Sequence, residues 1–267
     1  THHEPIDLPG ARLPHDMAFT EHYSLLMDLP LFWDPELLQR NVHKVTFYPE
    51  MPSRFGILPR YGANADVKWF EATPCYIYHV VNAWEDGDEF VMEACRVIQP
   101  EPGAKRGEGE LARMRAFLRL EAQLYRWRFN LKTGAVKEEQ LDDAKTEWPT
   151  INRHRMGRRS RYSYNSCVPH YEGLVKYDTM RRTSEKFLFG SGRTSNEAPF
   201  APRVGAADED DGYVVTFVAD ANAKTSGEVI VLDAKNIAAG PLARVIIPQR
   251  VPTGFHSTWI PGAQLRA

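Results

Sequence analysis

The sequence has few cysteines, no long apolar run and no excess of charge of one sign. Its three cysteines lie far apart without CxxC spacing, which disfavours a disulfide framework or thiolate zinc site and fits a reducing cytoplasm. No window approaches the roughly 18 to 20 apolar residues that a membrane-spanning helix needs. A net charge of -2 makes nucleic acid an unexpected partner. We find no basic or apolar leader after Thr1 and expect no targeting signal.

The 267 residues, 43% hydrophobic and 25% charged, have the composition of a globular protein, which excludes disorder, collagen and coiled coil. Short runs rich in β-branched and aromatic residues recur between turn signals and predict an all-β chain. The predicted strands are 24–27, 44–48, 67–71, 76–84, 89–98, 125–131, 159–164, 173–177, 186–189, 213–219, 228–232 and 243–247. Strands at this spacing are typical of a sandwich, a barrel or a propeller, and periodicity does not choose among them.

Other segments break the strand pattern. Asp86 and Gly87 lie between two strong strands and predict a two-residue hairpin turn. Residues 99–109 read as a polar loop that leads into a short helix over 110–123, and residues 29–35 read as an apolar loop followed by one helical turn over 36–40.

Three of the nine histidines, His15, His79 and His256, are flanked by bulky apolar residues. A buried imidazole costs free energy unless its nitrogens are satisfied, so each of the three needs a hydrogen-bonding partner or a metal. A hydrogen-bonded core histidine is the simpler alternative for any one of them taken alone. No pair has HxH or HxxxH spacing, so any metal site would be built from distant segments.

Two glutamates, Glu147 and Glu197, stand in similarly apolar settings close before a proline. Metal-bound imidazoles usually donate their second N–H to a carboxylate, so a buried glutamate and a buried histidine are natural partners. A surface acid beside a turn is the alternative for both.

Five segments, in order, resemble the carotenoid cleavage oxygenase family, which includes the lignostilbene dioxygenases and the apocarotenoid oxygenases. Residues 15–23 resemble the HDFxxTxxY motif, and 78–85 resemble FHxxNAYE. Residues 147–152 are similar to EFPxxN, and 254–259 to GFHGxW. Residues 197–202, with 209–212, are similar to EPxFVP followed by EDDG.

The resemblance implies a seven-bladed β-propeller, with residues 1–267 forming a partial propeller domain that covers roughly the last four blades. It also implies one non-haem Fe(II) per chain, bound by four histidines. Three of these map to His15, His79 and His256, and the fourth is expected upstream of Thr1, because His2 and His3 lack its context. Glu147 is expected to orient His79, and Glu197 to orient His256.

The implied activity is a dioxygenase that uses O2 to cleave a conjugated carbon–carbon double bond of an apocarotenoid or stilbene into two carbonyl products. A non-catalytic propeller scaffold and an isomerase on the same fold remain as alternatives. The metal needs no additional acid–base residue.

An apolar substrate requires an apolar tunnel, for which the apolar loops 29–33 and 55–58 and aromatics near the motifs are candidates, with core packing as the alternative for each. The candidate aromatics are Phe19, Phe55, Trp148, Phe200 and Phe255. The apolar stretch 29–33 is also a candidate for peripheral contact with a membrane, on an otherwise cytoplasmic protein of open oligomeric state.

Overall fold

The computed structural model describes residues 2–42, 44–98, 100, 120–223, 226–252 and 254–266. The chain forms two compact units. The first consists of Thr1–Lys145 and Gly157–Arg159, and the second of Thr146–Met156 and Ser160–Ala267. Within the described residues, regular structure is almost entirely antiparallel β-strand. No helix in that part of the chain is long and apolar enough to cross a membrane.

The first unit contains a four-stranded sheet of order β1-β2-β5-β6, the strands β7, β8, β9 and β10 paired in that order, and the separate two-stranded sheet β3-β4. Its strands are β1 Ala18–Phe19, β2 Tyr23–Asp28, β3 Leu31–Trp33, β4 Val45–Phe47, β5 Ser53–Pro59, β6 Lys68–Ala72, β7 Tyr76–Asp86, β8 Glu89–Val97, β9 Ala122–Asn130 and the beginning of β10 Val136–Thr150. A short helix, α1 Pro35–Gln39, is capped by Asp34, whose carboxylate accepts the N–H groups of residues 36 and 37.

The second unit continues β10 into a sheet of order β10-β11-β12-β13, and adds a sheet in which β16 pairs with β14, β15 and β17, and β17 with β18. Its strands are β11 Tyr162–Cys167, β12 Gly173–Asp178, β13 Thr183–Leu188, β14 Arg193–Ser195, β15 Phe200–Pro202, β16 Gly212–Asp220, β17 Gly227–Asp233 and β18 Pro241–Ile247. Single turns of 3-10 helix occupy Asn64–Asp66, Arg153–Arg155, Ile237–Ala239 and Gln264–Arg266.

The predicted hairpin between β7 and β8 is confirmed. Asp86 pairs with Glu89, so the two turn residues are Gly87 and Asp88, one position later than the sequence indicates. Gly87 has a φ of 62°, a left-handed conformation that glycine adopts without steric cost. The predicted helical turn over 36–40 is also confirmed, as α1.

Two loop predictions are wrong. The apolar segment around Phe55 is the middle of β5, and Phe55 is fully buried with its ring 5.1 Å from that of Phe129. Within the stretch 29–33, residues Leu31–Trp33 form β3, and Leu31 is also fully buried. In both cases strand pairing and burial of apolar side chains explain the sequence pattern.

The predicted loop 99–109 and helix 110–123 lie outside the described residues, apart from Pro100 and the last four positions. Of those four, Ala122 and Gln123 begin β9 and are not helical.

Candidate functional site

Two of the predicted metal ligands, His15 and His79, are neighbours in the first unit. His15 lies in the extended segment before β1, and His79 lies in β7. Their ring centroids are 5.2 Å apart at an interplanar angle of 80°, and one ring nitrogen of each lies within 4.8 Å of the other. The ring of Tyr78 also stands edge-on to His15, with centroids 5.1 Å apart. The fold therefore brings the imidazoles of two residues that are 64 positions apart in the sequence close to each other.

His79 lies in a β-bulge. Between the pairs Ile77–Arg96 and Val80–Ala94, strand β7 advances by three residues and β8 by two. The extra residue falls at Tyr78–His79, and such bulges commonly redirect side chains beside functional sites.

A buried asparagine fixes the following part of β7. The Asn82 side-chain oxygen accepts the Gly157 N–H at 3.0 Å, and its amide nitrogen donates to the Arg158 carbonyl at 2.7 Å. Asn82 belongs to the motif at residues 78–85, but the sequence alone assigns it no function. In the structure it holds residues 157 and 158 against the strand that carries His79.

The third predicted ligand, His256, lies in the second unit beside its predicted partner. Its Nδ1 is 3.6 Å from Glu197 Oε2, slightly longer than a hydrogen bond. The same oxygen accepts the Ser257 N–H at 2.8 Å, and the Ser257 hydroxyl donates to the Glu197 carbonyl at 2.9 Å. Asn196 accepts the Gly254 N–H at 2.9 Å. Residues 196–197 thus hold the backbone on both sides of His256.

Glu147 is fully buried in the second unit, beside an irregularity of β10. Its Oε2 accepts the N–H of Trp148, a residue with a φ of 51° that bulky side chains rarely adopt. The Trp148 ring stacks on Tyr171, with centroids 4.5 Å apart, and Tyr171 also has a positive φ, of 57°. Burial and, secondarily, the Glu147 charge raise the pKa of the Tyr171 hydroxyl. Backbone strain at two stacked aromatics is typical of a functional site.

An apolar pocket of about 430 Å³ in the first unit includes His15 in its wall. Its other lining residues are Ile6, Leu8, Pro14, Asp16, Met17, Leu26 and Met27. The volume is in the range of small-molecule sites, which are usually apolar with a few polar groups. Sequence reasoning missed this pocket because its residues come from three separate segments and only His15 was singled out.

None of the five aromatics predicted for a tunnel lines this pocket. Phe55 belongs to the core of the first unit, and Phe200, 3% exposed, stacks on Tyr164 in the core of the second. Phe200 also borders a separate pocket of about 250 Å³ with Trp259. Trp148 is buried, whereas Phe19 and Phe255 are exposed.

Comparisons with known proteins identify a matching family model and several similar proteins. A family model described as retinal pigment epithelial membrane protein, RPE65, matches residues 1–261. The chain is 36% identical over 98% of its length to a carotenoid 9,10(9′,10′)-cleavage dioxygenase of Crocus sativus, of which it covers 51%. It is 31% identical over 94% of its length to a zeaxanthin 7,8(7′,8′)-cleavage dioxygenase of the same plant, of which it covers 69%.

Among solved structures, the chain superposes on a Pseudomonas brassicacearum lignostilbene dioxygenase with a TM-score of 0.82 and 26% identity. The match covers 96% of this chain and 57% of that structure. The chain spans about half the length of several curated relatives that it matches. The β-propeller class expected from the sequence is confirmed, with this chain as part of a propeller.

Proposed function

Because the chain belongs to the RPE65 and carotenoid cleavage oxygenase family, we propose that it is part of an iron-dependent dioxygenase. The reaction would use O2 to cleave a conjugated carbon–carbon double bond of an apocarotenoid or a stilbene into two carbonyl products. The names of relatives support both substrate classes, since one is a carotenoid-cleaving and another a lignostilbene dioxygenase.

One observation carries the proposal: His15 is paired with His79 and also lines the apolar pocket. An apolar substrate in that pocket would therefore lie against His15, one of the residues that would hold the metal. The pocket wall at Leu8, Met17 and Leu26 would bind the substrate by burying apolar surface.

The donor chemistry fits iron. We propose that His15, His79 and His256 hold it, because neutral imidazoles suit first-row metals and leave the ion its full positive charge. When bound, ferrous iron with open coordination positions would supply the activation of O2. We further propose that Glu147 orients His79 and that Glu197 orients His256. The contact between Glu197 and His256 supports the second assignment. The cytoplasmic location and contact with a membrane surface stay predictions.

The reaction is tested by incubating the iron-loaded protein with a stilbene or an apocarotenal, in the presence and in the absence of O2. Product masses are then measured by mass spectrometry after turnover in ¹⁸O2. We expect aldehydes that carry the label, and no turnover without O2. His15→Ala and His79→Ala should each abolish turnover, whereas His3→Ala, a change of an exposed histidine before the first motif, should not. Turnover without O2 would indicate an isomerase, and no turnover at full iron occupancy would indicate a binding scaffold.

A further inference from the structure

Asp16 contacts the backbone on the C-terminal side of both paired histidines. Its Oδ2 accepts the N–H of Val80, the residue after His79, at 2.8 Å. Its Oδ1 accepts the N–H of Met17, two residues after His15, also at 2.8 Å. A single carboxylate therefore joins the two segments that carry the imidazoles.

The hydrogen bond from Val80 to Asp16 lies directly after the β-bulge that contains His79. An extra residue in β7 disrupts the pairing with β8, so the ladder constrains Tyr78 and His79 less than it constrains a regular strand. The Asp16 hydrogen bond holds the backbone at the first residue after the bulge. A hydrogen bond to a charged acceptor is stronger than one between neutral groups, which suits it to this task.

We propose that Asp16 is a positioning residue that sets the spacing between the His15 and His79 imidazoles and thereby the affinity of the pair for a divalent first-row metal. The inference rests on the proposed function, since it concerns the same pair. Both carboxylate oxygens accept backbone N–H groups, so Asp16 acts through the backbone.

The test compares Asp16→Ala and Asp16→Asn with the matched control Asp66→Ala. Asp66 also accepts a backbone N–H, that of Ala63 at 2.8 Å, but in a turn of 3-10 helix that carries no histidine. Two quantities are measured: the Co²⁺ affinity by titration, and, in metal-free protein, the nuclear Overhauser effect between the ring protons of His15 and His79. The asparagine variant keeps one acceptor oxygen, which can still accept the Val80 N–H, and loses the charge together with the second acceptor, which serves Met17.

We expect Asp16→Ala to lose the inter-ring Overhauser effect and to bind Co²⁺ about 10- to 100-fold more weakly, the usual cost of losing support around a metal ligand. Asp16→Asn should keep the effect and lose less affinity, and Asp66→Ala should match the wild type in both. An Overhauser effect that persists in Asp16→Ala, or is absent from the wild type, overturns the proposal. If the wild type binds no Co²⁺, the proposed function fails, whereas the metal-free measurement still decides the role of Asp16.

Discussion

Replacement of Glu197 by glutamine removes one negative charge beside His256 and changes little else. The glutamine side chain would keep an oxygen that can accept the Ser257 N–H, so the backbone hold on this segment should survive. Loss of a carboxylate behind a metal-bound histidine typically lowers metal affinity by about 10- to 100-fold, or about 1.4 to 2.8 kcal/mol. We expect the lower end here, because the two atoms are 3.6 Å apart and 55% of the His256 side chain is exposed to screening by water.

The assay is a metal titration of the wild type and of two variants, Glu197→Gln and Glu209→Gln. Glu209 is a matched control in the same unit. Its side chain is 12% exposed, against 14% for Glu197, and it accepts the N–H groups of Arg161 and Tyr162 at 2.7 and 2.9 Å. Only the Glu197 variant should lose affinity. If Glu197→Gln binds the metal as tightly as Glu209→Gln does, the idea that Glu197 supports a metal ligand is refuted.

Two further predictions concern stability. Phe55→Ala should lower the free energy of unfolding by about 3–5 kcal/mol, because it leaves a cavity beside Trp127 and Phe129; a loss under about 1 kcal/mol in urea denaturation would contradict the core assignment. The hydrogen bond to Glu85 raises the pKa of His22 above 6.5, while hydrogen bonds from Thr20 and His22 outweigh burial and lower the pKa of Glu85 below 4.5. The stabilisation of the folded protein by His22 is complete below pH 6.5 and is lost as the pH rises through the raised pKa of His22. The stabilisation by Glu85 is complete above pH 4.5 and is lost as the pH falls through the lowered pKa of Glu85. The difference in melting temperature between wild type and His22→Gln should therefore be largest between these two values, and a difference independent of pH would count against the pair.

Strands with a concentrated apolar or alternating pattern could be predicted from sequence, whereas six of the described strands, β1, β3, β5, β10, β14 and β15, could not, and two of these show why. The first half of β10 is mostly charged, and it forms because it pairs with β9, a partner that local composition does not reveal. Strand β5 contains Gly56, which suggests a loop. The structure shows the reason for this glycine: a Cβ there would lie 2.8 Å from Val67 and 2.9 Å from Trp69.

The motifs predict the histidines of the site and the glutamate beside His256, whereas the backbone hydrogen bonds of Asp16 and the stacking of Tyr171 on Trp148 are seen only in the structure. The link from Asp16 to Val80 depends on the register of a bulged strand, which no spacing in the sequence encodes. Tyr171 has no sequence signal either, because its contact with Trp148 depends on left-handed backbone at both residues. Motifs identify the side chains that a reaction needs, and backbone geometry identifies the residues that hold them.

The most direct test of the metal assignment is a crystal structure of the iron-loaded protein with an anomalous difference map at the iron absorption edge. We predict a single strong peak with one ring nitrogen of each of His15, His79 and His256 at about 2.0–2.2 Å, the range for imidazole bound to first-row metals. A peak elsewhere, or any of these three rings more than roughly 4 Å from the iron, beyond any coordination bond, would contradict it.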